Sequence, residues 1–155
     1  MRQGAYIVAD FGKTLSKVTL WSKDRRMIDR VVRPTSPKIT PEYRALDVEA
    51  TREWFIETLT RFAGHPVEAI IPVAHGAAVV GLRGDDVAFP PLDYEHAIPA
   101  AVLNEYRKGR DTFALTGSPA LPDGLNIGSQ LQWLESLHDE AFHNATLMPF
   151  AQYWA

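Results

Sequence analysis

The sequence predicts an α/β domain whose mixed sheet opens with an antiparallel three-strand meander. Three observations carry that expectation. Short β-branched and aromatic runs recur at 6–8, 17–21 and 27–32, separated only by tight turns. An amphipathic helical stretch and a further Ile- and Val-rich run at 67–74 follow. The 46% hydrophobic and 23% charged residues are the balance of a globular chain, not of a disordered or fibrous one. At 155 residues the chain is long enough for one domain with its own core and too short for two ordinary ones.

Each element follows from local pattern. Tyr6, Ile7 and Val8 run into Asp10 and Gly12, as a buried strand runs into a turn. Val18 and Leu20 alternate with Lys17, Thr19 and Trp21, the period of two of a strand. A turn at 22–25 leads to a third strand at Met27 to Val32, so the meander occupies residues 5–33. Pro34, Pro37 and Pro41 then interrupt both strand and helix. Asp47 offers an N-cap before Val48, Phe55, Leu59 and Phe62 recur at helical spacing, and Gly64 stops that helix. Residues 67–74 read as the next buried strand, and 77–82 with 87–89 as a hairpin across Arg83-Gly84-Asp85-Asp86. Pro99 starts a short helix ending at Gly109, and 111–125, with Gly117, Pro119, Pro122 and Gly124, reads as a loop. Ile127, Leu131 and Leu134 mark an amphipathic helix, and a final helix begins near Phe142 or after Pro149.

Composition excludes several function classes. The formal charge is −3, from 16 basic and 19 acidic residues, which disfavours nucleic-acid and acidic-membrane partners. The densest basic cluster, Lys23-Asp24-Arg25-Arg26, contains an acid and reads as a solvated turn. Without cysteine there is no disulfide framework, thiolate nucleophile or cysteine-ligated zinc. The first residues lack a signal-peptide pattern, and no apolar run reaches the roughly 18 residues of a membrane span, so a cytoplasmic protein is expected. The aromatic ending Gln152-Tyr153-Trp154-Ala155 suits a chain that runs on or is covered by a partner.

The segment Asp10-Phe11-Gly12-Lys13-Thr14-Leu15-Ser16-Lys17 lies between two expected strands. Gly12 lets backbone N–H groups approach a phosphate, because no Cβ is in the way. Thr14 and Ser16 add hydroxyl donors, and Lys13 adds positive charge. Asp10, at the strand's end, is placed to hold a magnesium ion directly or through water, as an oxygen-ligated Mg²⁺ requires. An ordinary hairpin with glycine and serine in its turn is the competing reading.

Strand, phosphate-type turn, two more antiparallel strands, helix and strand is the opening order of the ribonuclease-H-like, actin-like ATPase fold. In detail the chain resembles the FGGY carbohydrate kinases. The segment 8–17 looks like that family's first phosphate motif, and Ile71-Pro72-Val73-Ala74-His75-Gly76-Ala77 like its strand leading to a His-Gly pair at the sugar. Pro90-Pro91-Leu92-Asp93-Tyr94-Glu95 is similar to the segment that closes over the sugar, and 124–134 to the helix start before a Trp-Leu pair. The ending Gln152-Tyr153-Trp154-Ala155 resembles the start of a further helix. The Asp-Tyr-Glu and Gly-Leu-Asn segments are closest in flavour to fuculokinase- and rhamnulokinase-like members.

The resemblance implies ATP-dependent phosphorylation of a sugar, a ketose or deoxyketose, by a longer parent protein. This chain would be the N-terminal portion of the family's N-terminal domain, incomplete at its C-terminal side and without the second domain. ATP and Mg²⁺ are the implied cofactors. Asp10, Gly12, Lys13, Thr14 and Lys17 would hold the nucleotide phosphates, with Asp10 ordering the metal. His75, Gly76, Asp93, Tyr94 and Asn126 would meet the sugar, His75 as a hydrogen-bonding group rather than a base. Asp93 and Glu95 suit sugar hydroxyls, with a solvated turn as the alternative; Asn126 contacts substrate or caps the following helix, and Trp133 belongs to the core. His65, His96, His138 and His143 show no metal spacing and read as surface residues. The family's catalytic base is an aspartate beyond residue 155, so no catalytic residue is assigned and the isolated chain is expected to be inactive. A small-molecule sugar is the expected partner, with neither nucleic acid nor membrane, and the full-length protein is compatible with a homodimer. Two competing readings are a non-catalytic sugar-binding or regulatory remnant and another actin-like ATPase.

Overall fold

The computed structural model of the chain describes residues 4–155. Along it run β1 (Ala5–Phe11), β2 (Leu15–Ser22), β3 (Met27–Pro34), β4 (Pro37–Ile39), β5 (Arg44–Leu46), α1 (Val48–Phe62) and β6 (Val67–Ala74). There follow β7 (Val79–Arg83), β8 (Asp86–Val87), α2 (Ala100–Gly109), α3 (Phe113–Thr116), α4 (Ile127–His143), β9 (Thr146–Pro149) and α5 (Phe150–Tyr153). The chain forms two compact units: residues 4–36 with Asp47–Gly76 and Phe150–Ala155, and Pro37–Leu46 with Ala77–Pro149.

The first unit is built on a four-stranded sheet in the order β3-β2-β1-β6. β1 pairs antiparallel with β2 from Ala5↔Ser22 to Phe11↔Ser16, and β2 pairs antiparallel with β3, giving the expected meander. β6 pairs parallel with β1, which makes the sheet mixed. Alternation buries Ile7, Ala9 and Phe11 of β1 and Val18 and Leu20 of β2, together with Val48 and Phe62 of α1. Each of the larger side chains contributes about 1.5–3 kcal/mol by leaving water. The Asp47 carboxylate caps α1 by accepting from the Ala50 N–H at 3.1 Å. The helix stops at Ala63, one residue before the glycine that the sequence offered as its stop.

The expectation of a buried strand at 67–74 is corrected. β6 forms one margin of the sheet, and Ile70, Ile71 and Val73 are each about 45% exposed (44%, 46% and 46%). Its two-sided apolar sequence has the composition of an interior parallel strand. The aromatic ending is covered by the chain itself: the Trp154 ring stacks on Phe11 at 3.9 Å and Phe150 is buried.

In the second unit the Pro-rich break contains a strand after all. β4 starts at Pro37 and pairs with β5 from Pro37↔Leu46 to Ile39↔Arg44, and β3 itself extends to Pro34. Proline is tolerated at strand ends, where its missing N–H breaks no ladder. Residues 91–93 lie against β5 through Leu46 N–H→Pro91 O, Asp93 N–H→Arg44 O and an Ala45↔Leu92 bridge. A second sheet has the order β8-β7-β9. Its hairpin is shorter than expected, Phe89 leaving the ladder to join the core, and β9 is a strand where none was expected. The core gathers Tyr43, Ala45, Phe89, Leu92, Ile98, Trp133 and Leu134. α3 puts one helical turn inside the expected loop, closed by Gly117 at φ 63. α4 continues past Leu134 to His143, with a break at Asp139 (φ 29, ψ −95).

Two of the expected surface histidines are half-buried here. His96 stacks on Trp133, and His138 stacks on Phe89 at 5.0 Å. The Tyr43 hydroxyl lies 2.7 Å from Pro90 O and 2.8 Å from His138 Nε2. A carbonyl can only accept, so the single phenolic proton goes to Pro90 O and His138 Nε2–H donates to the Tyr43 oxygen. Burial pushes the Tyr43 phenol up out of its usual range and lowers the pKa of His138.

Candidate functional site

The β1–β2 turn brings the expected phosphate-binding residues together. Asp10 and Lys17 face each other in the ladder, with Lys17 Nζ 2.8 Å from Asp10 Oδ2. Their side chains are 39% and 44% exposed, so the pair is worth at most about 1 kcal/mol and leaves the carboxylate able to exchange its partner for another cation. A Cβ on Gly12 would lie 2.5 Å from Leu15 O, so the turn closes in this form only around glycine. Thr14 is exposed and Lys13 half-exposed at its tip.

Ser16 is corrected as a phosphate donor. It is buried, and its hydroxyl is 3.2 Å from the Thr35 hydroxyl. Thr35 is a residue the sequence reading passed over. Its Oγ1–H donates to Gly12 O at 3.0 Å, and its N–H donates to Thr14 O at 3.0 Å. Lying between Pro34 and Pro37, it looked like part of a breaker, and nothing in the local pattern marks it.

His75 and Gly76 directly follow Ala74, the register partner of Phe11. β1 and β6 being parallel, their carboxyl ends deliver Asp10, the turn and the His-Gly pair to one end of the sheet, where open α/β sheets place ligands. The His75 ring stacks on Phe150 at 4.7 Å.

Asp93, Tyr94 and Asn126 belong to the second unit. Asp93 is 1% exposed, which rules out a solvated turn. Its Oδ2 accepts from Arg44 Nε at 2.6 Å and its Oδ1 from Glu95 N–H at 3.0 Å. Those bonds make it a buried anchor for its segment instead of an open acceptor for sugar hydroxyls; Glu95 itself is exposed. Tyr94 O accepts from Gly124 N–H at 3.0 Å, and a Cβ on Gly124 would stand 3.0 Å from Tyr94 Cα. Asn126 precedes α4 but makes no side-chain cap to it. Its amide accepts from Leu121 N–H at 2.8 Å and donates to Pro119 O at 3.1 Å, fixing the loop before the helix. Trp133 packs in the core as expected.

Gln130 was also passed over. It is wholly buried, and its Nε2 donates to Ala77 O at 2.6 Å and to Gly124 O. A legible signal existed: Gln130 is three residues after Ile127 and four before Leu134, a polar residue on the apolar face.

The donor set suits magnesium held by one carboxylate together with substrate phosphates and water. Asp10 is the residue of the turn that could supply that carboxylate, while no group of three or more His, Asp or Glu able to hold a metal occurs among the described residues. A Cβ at Gly12 would collide with the backbone carbonyl of Leu15, so glycine at this position serves the tight closure of the turn.

No family model and no curated protein matches the chain. Among solved structures it is 57% identical, with a TM-score of 0.94, to a carbohydrate kinase from Novosphingobium aromaticivorans, over 99% of this chain and 33% of that one. Gluconate kinase from Lactobacillus acidophilus is 17% identical with a TM-score of 0.77, over 97% of this chain and 32% of that one. Glycerol kinase from Plasmodium falciparum, solved with ADP, is 9% identical with a TM-score of 0.74, over 99% and 34%. The chain therefore spans about a third of the length of the structures it matches (33%, 32% and 34%). The last two likenesses bear on the fold alone. This chain has the mixed α/β, actin-like ATPase fold of carbohydrate kinases, and its structural neighbours are carbohydrate kinases of the FGGY family.

Proposed function

We propose that the full-length protein carrying this chain is an ATP-dependent sugar kinase, and that residues 1–155 are the N-terminal portion of its N-terminal domain. The observation that carries this reading is 57% identity to a carbohydrate kinase over 99% of the chain. The glycine-dependent turn between β1 and β2 supports it. Asp10, Gly12, Lys13, Thr14 and Lys17 bind the ATP phosphates, and Asp10 orders the Mg²⁺ ion, which when bound neutralises charge developing on the phosphates. His75, Gly76 and Tyr94 orient a ketose or deoxyketose, and Asp93 and Asn126 fix the segments that carry the sugar contacts. The base that takes the hydroxyl proton is supplied from beyond residue 155. The setting is the cytoplasm, and the full-length protein is compatible with a homodimer.

Asp10→Asn and Thr14→Ala in the full-length protein are expected to lower kcat by at least about tenfold with little change in KM for the sugar. Wild-type kcat in both variants would remove the phosphate role from this turn.

A further inference from the structure

We propose that Thr35 is a positioning residue for nucleotide binding, orienting the phosphate turn from behind. The proposal rests on the kinase reading above and adds a residue that the motif does not contain. Thr35 contacts three residues of the turn region: Gly12, Thr14 and Ser16. A hydroxyl carries one proton, and Gly12 O can only accept, so Thr35 donates to Gly12 and Ser16 donates to Thr35. The result is a relay from Ser16 O–H to Thr35 O–H to Gly12 O.

The consequence lies in peptide geometry. In a trans peptide the C=O and the following N–H point in opposite directions. Pinning Gly12 O toward Thr35 therefore turns the Lys13 N–H away from Thr35. That amide is one of the donors a phosphate-binding turn must present, and the Gly12 side of the turn has no room for a Cβ. The Thr35 N–H bond to Thr14 O holds the far side of the same turn at 3.0 Å. Pro34 and Pro37 flank Thr35–Ser36, and their rings restrict the backbone that presents both donors. An amide aimed before the ligand arrives needs no reorganisation on binding, so the gain appears in nucleotide affinity.

The test compares Thr35→Val, which keeps shape and backbone N–H but removes the hydroxyl, with Thr35→Ser, which keeps the hydroxyl. Both are made in the full-length protein, and MgADP is titrated calorimetrically at a temperature well below each melting point. Thr35→Val is expected to raise the Kd for MgADP about tenfold, and Thr35→Ser to stay within about twofold of wild type. Should the valine variant not fold, Thr35→Ala makes the same comparison with serine. A hydroxyl-free variant that melts lower but binds MgADP as wild type does would show a purely structural residue and overturn the proposal. Wild-type protein that fails to bind MgADP would instead remove the kinase reading, and the proposal with it.

Discussion

Replacing Gln130 tests how the second unit holds its loop segments. Gln130 is wholly buried, and both partners of its Nε2 are carbonyl oxygens, Ala77 O and Gly124 O. Its Oε1 accepts no bond from the described residues. Gln130→Met keeps the volume, loses two hydrogen bonds worth about 1 kcal/mol each, and strands two carbonyls. Removing the unpaired Oε1 returns part of that, leaving a net loss of about 1–3 kcal/mol. For a chain of this size, at about 2–4 °C per kcal/mol, the melting temperature is expected to fall by about 2–12 °C. Gln130→Glu is the sharper probe. A carboxylate cannot donate to either carbonyl, and its burial disfavours the charge, so its folded pKa lies above the unfolded value near 4.3. A group shifted up gives its full relative stability below the unfolded pKa and loses it as pH rises through the folded one. The deficit of Gln130→Glu against wild type is therefore large at pH 7 and narrows toward pH 4, where the protonated acid donates one bond. Thermal unfolding of the 155-residue chain by circular dichroism measures both effects. A methionine variant melting within about 1 °C of wild type, or a glutamate deficit independent of pH, would refute the clamp.

Two other outcomes are expected. The isolated 155-residue chain releases no ADP from ATP when sugar is added, since the proposed base lies outside it; robust sugar-dependent ADP release in a coupled assay would contradict that. His138 should make the chain acid-sensitive: its folded pKa is lowered by burial, with Glu42 opposing, so its stabilising contribution is complete above 6.5 and is lost as pH falls toward the folded value. The melting temperature is thus expected to decline more steeply below pH 6.5 in wild type than in His138→Gln, and equal slopes would count against it.

Local pattern revealed those parts of the molecule that local physics decides. The alternation of Val18 and Leu20, the Asp47 cap and the tight bend at Gly12 each depend on neighbours within a few residues, and the structure has a strand, a cap and a hairpin turn at those places. What escaped was decided at a distance. β9 exists because Thr146–Pro149 finds β7 (Val79–Arg83), far back along the chain. Asp93 read as a sugar contact or part of a solvated turn, and its buried pairing was not legible because its partner, Arg44, is remote in sequence. Thr35 is the sharpest case, a threonine between prolines whose part is set by Gly12 and Ser16 across the sheet. Gln130 was visible as an anomaly on an apolar helix face, although only its partners Ala77 and Gly124 explain it.

The unit that carries the turn begins with the first strand and closes with Phe150–Ala155. On the ribosome, the β1–β2 hairpin emerges early and can form from contacts close in sequence. Phe11 must nevertheless wait for the stacking surface of Trp154, and His75 for Phe150, until everything between them has been synthesised. A nascent chain stalled before residue 150 would hold Phe11 against Phe55 but leave its Trp154-facing side open, a sticky patch for chaperones, and residues 150–155 would act as the latch that ends that exposure.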